Sequence, residues 1–143
     1  MKANELRIGN VVTINNEKHH PEMKGIPLIV CGIEKLRDDE GAKILLKYPD
    51  DKDNVVLPAF SQFERFIEPI ILDQDIMRKY GFIETFQGIY STWNFLDFGN
   101  YFEVQQDSSG FNFHTTPKWI VIEYVHQLQN LYFSITGNEL EIK

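Results

Sequence analysis

The chain has 143 residues, 43% hydrophobic, 24% charged and 13% aromatic, which excludes the polar, aromatic-poor profile of a disordered chain and suffices for a buried core. Its 14 basic and 21 acidic residues leave a formal charge of −7, which works against the phosphate neutralisation on which nucleic-acid affinity depends. A single cysteine, Cys31, excludes an internal disulfide and a cysteine-based zinc site.

No stretch of 18 apolar residues occurs, and Met1–Arg7 lacks the apolar run of a secretory signal, so no membrane association and a cytoplasmic location are expected. Divided after Leu72, the first part holds 10 basic and 12 acidic residues and the second 4 and 9, a charge of −2 against −5. Neither is a basic patch. Cys31 lies in the apolar run Leu28–Cys31 and reads as a small core residue.

From the start, Asn10–Asn15, Ile26–Leu36, Ala42–Tyr48 and Asn54–Phe60 are Val/Ile/Leu-rich runs divided by turn-forming clusters. The dividers are Asn15–Pro21, Arg37–Gly41 and Pro49–Asp53. Ser61–Glu64 reads as one helical turn, and Arg65–Ile70 as a last strand. Five short strands with a tight turn near the end predict a small SH3-like β-barrel over residues 1–71.

The pattern changes near residue 72. Asp73 suits a helix N-cap, Asp75 the positive end of the dipole, and Arg78 and Lys79 the negative end. Gly81 suits the left-handed position after the last turn, and Leu72 and Met77 have the spacing of a hydrophobic staple. A helix over residues 73–80 follows. Strands are expected over 83–122, at Gly88–Ser91, Thr92–Phe98, Tyr101–Gln106, Gly110–His114 and Trp119–Ile122, as an antiparallel meander. Alternation in Tyr101–Gln105 and Gly110–His114 sets one covered and one wet face, with Phe111 and Phe113 on the covered one.

Trp119–Ile122 is too β-branched for a helix, although Thr116-Pro117 leaves open a helix start at Pro117. A helix over 123–136 ends at Gly137. Its apolar stripe is Tyr124, Val125, Leu128, Leu131, Tyr132 and Ile135, with His126, Gln127, Gln129 and Asn130 on its flanks and outer face. The chain thus reads as α+β: an SH3-like barrel over residues 1–71, then an α+β region over residues 72–143, packed together as one compact unit.

Chemistry motifs are absent. His19-His20 with Glu17 and Glu22 has no His-x-x-x-His partner spacing, and the acidic stretches Asp38–Gly41 and Asp50–Asp53 lack the calcium-loop ligand pattern, so no metal and no cofactor are expected. Pairs such as Glu103 and Asp107 are common in any acidic chain, and no Gly-x-Ser-x-Gly elbow or phosphate-binding glycine loop occurs. The aromatics Trp93, Trp119, Tyr90, Phe95, Phe98, Tyr101 and Phe102 suit a core or a stacking platform, the core being the commoner use.

The strings Tyr124–Phe133 and Thr136–Leu140, with the opening Met1–Asn10, resemble a family of small uncharacterised proteins of Bacteroidales bacteria and their phages. The resemblance brackets the whole chain, while the middle, including Lys18–Lys24, departs from it. It implies an accessory factor that binds another protein, and it carries no catalytic residue or cofactor. Within the matched string His126, Gln129 and Asn130 are the candidate binding residues, either as an exposed recognition edge or as ties between helix and strand.

The leading expectation is therefore a non-catalytic protein-interaction module whose partner is another protein. A nucleic-acid-associated protein with a locally basic face at Lys35, Lys43, Lys47 and Arg65 is the alternative. A small hydrolase or nuclease using His114 or His126 is the third.

Overall fold

The structure, a computed structural model, describes residues 1–18, 20–36, 41–49, 59–97, 100–115 and 118–142. The chain divides into two compact units, Met1–Ile70 and Ile71–Lys143.

In the first unit β-branched and aliphatic runs form β1 (Val11–Ile14), β2 (Leu28–Lys35) and β3 (Ala42–Lys47), followed by β4 (Phe60–Phe63) and β5 (Ile67–Glu68). They build one antiparallel sheet in the order β4-β3-β2-β1-β5. Alternation along β3 buries Ala42, Ile44 and Leu46 and turns Lys43, Leu45 and Lys47 the other way. The buried set joins Leu6, Val12, Ile14, Met23, Leu28, Val30 and Ile67 in one core.

Three expectations are corrected here. β4 and β5 are not paired with each other among the described residues, so the sheet is not a closed barrel. Ser61–Phe63 is strand, and the helical turn is a 3-10 turn that starts three residues later, at Glu64–Phe66. The reason is pairing: Phe60, Ser61, Gln62 and Phe63 find ladder partners in Leu46, Leu45, Ile44 and Lys43. Cys31 is only half-buried, because the register slips between Val30 and Gly32 and leaves it at a bulge, its thiol donating to Leu45 O at 3.3 Å. The strand expected at Asn54–Phe60 lies outside the described residues up to Pro58, as do Arg37–Glu40 and Asp50–Asp53.

The second unit opens with α1 (Gln74–Lys79), whose punctuation follows the sequence. Asp73 Oδ1 accepts from Ile76 N at 2.8 Å. Phe82 N donates to Met77 O at 3.1 Å and Gly81 N to Arg78 O at 2.9 Å, with Gly81 at φ +83°. That is the Schellman closure, and it needs a residue tolerant of left-handed backbone.

A five-stranded antiparallel meander follows: β6 (Ile83–Gln87), β7 (Tyr90–Asp97), β8 (Asn100–Asp107), β9 (Gly110–Thr115) and β10 (Lys118–Ile122), in the order β10-β9-β8-β7-β6. Gly88-Ile89 is the two-residue turn between β6 and β7 rather than the start of a strand, with Gly88 at φ +70°. Helix α2 (Val125–Thr136) ends on Gly137 in the left-handed conformation.

The register sorts the sheet into two faces. Trp93 pairs with Val104 and Phe95 with Phe102, and all four are buried. Helix residues cover this inner face. The Tyr132 ring lies 5.5 Å from Phe95 and 5.4 Å from Phe102, and Phe82 lies 5.0 and 6.1 Å from the same two rings. Phe111 is buried there too, and Phe113 stacks on Phe102 at 5.2 Å.

Among the described residues no helix is long and apolar enough to cross a membrane.

Candidate interaction surface

Opposite the covered face, the same register assembles an outer surface. Ile83 pairs with Asn94, Asn94 with Glu103, and Leu96 with Tyr101. The Gln105–Asn112 pair carries this face onto β9, and the His114–Trp119 pair carries it onto β10. Side chains that a core would bury are left in solvent: Ile83 and Leu96 are each 71% exposed, Tyr101 63%, and Trp119 and Val121 51%. These residues form two apolar groups, Ile83, Leu96 and Tyr101 on one side of the face and Trp119 and Val121 on the other, with Asn94, Glu103, Gln105, Asn112 and His114 between them. Large apolar side chains gathered on one solvent-facing sheet face mark an interaction surface more often than scattered single residues do.

Polar groups lace the patch. The Tyr101 hydroxyl donates to Glu103 Oε2 at 2.6 Å and bonds Asn94 Oδ1. The hydrogen bond to the Glu103 carboxylate holds the Tyr101 phenol above its ordinary pKa. His114 is exposed and lies 4.6 Å, centroid to centroid, from Trp119. None of the positions named on this face is Lys or Arg, so Glu103 gives it an acidic accent.

The aromatics expected as core are thus divided by alternation. Trp93, Phe95 and Phe102 are core, whereas Tyr101 and Trp119 face solvent. Alternation along β8 already sets Tyr101 on the face opposite Phe102, whereas Trp119 lies in an unbroken apolar run whose faces only the pairing with β9 assigns.

The three candidate binding residues lie on α2. His126 and Gln129 are 3% and 2% exposed, which corrects their placement on the flanks and outer face and takes them out of an exposed recognition edge, while Asn130 is half-buried, as at a flank. The His126 ring stacks against Tyr124 at 5.8 Å. Gln129 Nε2 donates to Leu140 O at 3.4 Å and so ties the helix to the returning chain. Conversely, Ile135 is 51% exposed, so the helix is rotated relative to its purely apolar stripe.

The residues named for catalysis are not gathered. His114 sits on the outer face and His126 on the helix that covers the inner one. His20 Nδ1 meets Glu22 Oε1 at 3.5 Å, and Glu17 pairs with Lys24; His19 lies outside the described residues. Among the described residues no group of three His, Cys, Asp or Glu side chains is placed to hold a metal ion.

The four residues expected to form a locally basic face, Lys35, Lys43, Lys47 and Arg65, separate as well. Lys43 and Arg65 flank the Phe63 ring at 5.9 and 4.7 Å, and Arg65 also lies 5.0 Å from Phe66. Lys47 shares the Lys43 face, but Lys35 pairs with Ala42 and turns to the opposite one. Glu34 stands directly across from Lys43. Compared with known proteins, the chain matches no family model, no curated protein and no solved structure.

Proposed function

We propose that the chain is a non-catalytic protein-interaction module acting in the cytoplasm, an SH3-like unit followed by an α+β unit whose outer sheet face receives the partner. The observation that carries it is the exposure of Ile83, Leu96, Tyr101, Trp119 and Val121 on one face. Aromatic groups with polar tips suit a protein partner, because they bring apolar area and a hydrogen-bonding edge together. The partner surface offers donors or a cation to Glu103 at its centre and apolar groups to Leu96 and Tyr101 on one side and Trp119 and Val121 on the other.

Two observations support the SH3-like reading of the first unit: the strand order β4-β3-β2-β1-β5, and the 3-10 turn that separates β4 from β5. Likeness to the Bacteroidales and phage family adds the setting of an accessory factor.

A second reading, nucleic-acid association, is favoured by Lys43 and Arg65 around Phe63, since cations beside a ring suit a stacked base. The chain charge of −7 and Glu34 opposite Lys43 oppose it.

Affinity purification of tagged wild-type and Leu96→Glu chains, from lysates with and without nuclease, separates the two. A stoichiometric protein that resists nuclease and is lost with Leu96→Glu supports the interaction module. Capture unaffected by the substitution overturns the use of this face, and capture lost on nuclease treatment favours the second reading.

A further inference from the structure

The second sheet ends on two edges, β6 and β10, each bonded on one side only among the described residues. All five residues of β6 are exposed, as are the first four of β10. A row of free backbone donors and acceptors is a template for another strand, and proteins ordinarily blunt such edges with charge, proline or bulges.

β6 is blunted. Glu84 sits within it, held by Arg78 at 3.2 Å and by the Ser91 hydroxyl at 2.8 Å. A two-fold pairing of β6 centred on Thr85 would set this carboxylate against Phe86 of the other copy. β10 has no such device: after Lys118 it reads Trp119, Ile120, Val121, Ile122.

β10 is also self-complementary. Antiparallel pairing about a two-fold axis at Ile120 sets Ile120 across from Ile120 of the second copy. On the outer face it sets each Trp119 across from Val121 of the other copy, an aromatic on a β-branched residue, which is a favourable cross-strand combination. The two Lys118 side chains stand at opposite ends, so like charges do not meet. Beyond Ile122 the chain is already engaged, with Leu72 N donating to Glu123 O at 2.9 Å and Ile71 bridging Tyr124. The available stretch is therefore Lys118–Ile122, the length that this register uses.

From these features we infer that the chain forms a homodimer through antiparallel β10–β10 pairing, which joins two five-stranded sheets into one of ten strands. A two-fold contact closes on itself and does not propagate into a fibre. Five residues of edge form an interface below the standard size, so the dimer is weak and concentration-dependent. This inference does not rest on the proposed function and stands if that fails.

Sedimentation velocity over a concentration series tests it on three chains: wild type, Val121→Lys, and Thr85→Lys as an edge control on β6. Expected is a monomer-to-dimer shift for wild type and Thr85→Lys, and a monomer at every concentration for Val121→Lys with unchanged circular dichroism. A wild type that stays monomeric, or a Val121→Lys chain that dimerises like it, overturns the proposal. Hydrogen exchange on the wild type gives an answer without any substitution. β10 amides that gain protection as concentration rises support the dimer, whereas protection that appears only on adding a foreign protein overturns it in favour of a heterologous strand.

Discussion

Trp93 Nε1 donates to Gln106 Oε1 at 3.0 Å, and the same oxygen accepts from Gln74 Nε2 at 3.0 Å. One amide thus satisfies the only polar atom of a fully buried indole and ties α1 to β8. Gln106→Leu keeps the bulk but leaves the indole N–H without its acceptor. The expected loss is about 1–3 kcal/mol, the desolvation cost of an unsatisfied buried donor. Urea denaturation followed by tryptophan fluorescence measures it, and an unchanged midpoint would show that water reaches the indole.

A second close relationship holds Gly41, the residue before β3. Gly41 has φ +81°, and Glu64 Oε1 lies 2.5 Å from where a Cβ on residue 41 would stand, while Glu64 Oε2 accepts from Ala3 N at 2.8 Å. Gly41→Ala therefore meets both left-handed strain, about 1–2 kcal/mol, and a displaced carboxylate. Combined with Glu64→Ala the steric part vanishes, so the double variant should be more stable than the sum of the two singles. Chemical denaturation of the four chains is the check, and strict additivity would sink the steric account.

How far the sequence carried differs by element, for physical reasons. α1 was legible because its signals are local: Asp73 caps it and Gly81 closes it whatever lies beyond. β8 was legible because its alternation separates Phe102 and Val104 from Tyr101 and Glu103. β10 has no alternation, since Trp119–Ile122 is apolar throughout, and only the pairing of Trp119 with His114 shows which side chains face solvent. On α2, counting apolar residues placed the buried face wrongly, because Gln129 is buried with its amide bonded to Leu140 O, a partner 11 residues away. Open or closed strand order in the first sheet is likewise non-local. The β10 side of the exposed patch was hidden for the same reason: Trp119 looks like a core residue until the register assigns its face.

The Asp107–Gly110 turn makes a prediction about protons. Ser109 donates to Asp107 Oδ1 twice, from its hydroxyl at 2.5 Å and its amide at 2.7 Å, and these bonds, the hydroxyl's first, hold the carboxyl below its ordinary pKa. A depressed carboxyl contributes stability that is present above its unfolded value and is lost as pH falls through the folded one. Ser109→Ala should move the Asp107 carboxyl back up. Carboxyl-carbon NMR titration reads it, and an unmoved Asp107 would contradict the hydroxyl's role.

Tyr80 makes the opposite prediction at high pH. It is 1% exposed, its hydroxyl has no hydrogen-bond partner among the described residues, and burial pushes its phenol well above the ordinary value of 10. A raised phenol favours the folded state while the unfolded one also holds its proton, and the advantage is lost as alkali ionises the unfolded chain above about pH 10. Tyr80→Phe removes both the ionisation and an unpaired buried hydroxyl of the kind that costs about 1–3 kcal/mol. The variant should be at least as stable as wild type at neutral pH and should hold its stability further into alkali, both measurable by thermal melts across pH. A less stable Tyr80→Phe would mean that the hydroxyl has a hydrogen-bond partner inside the fold.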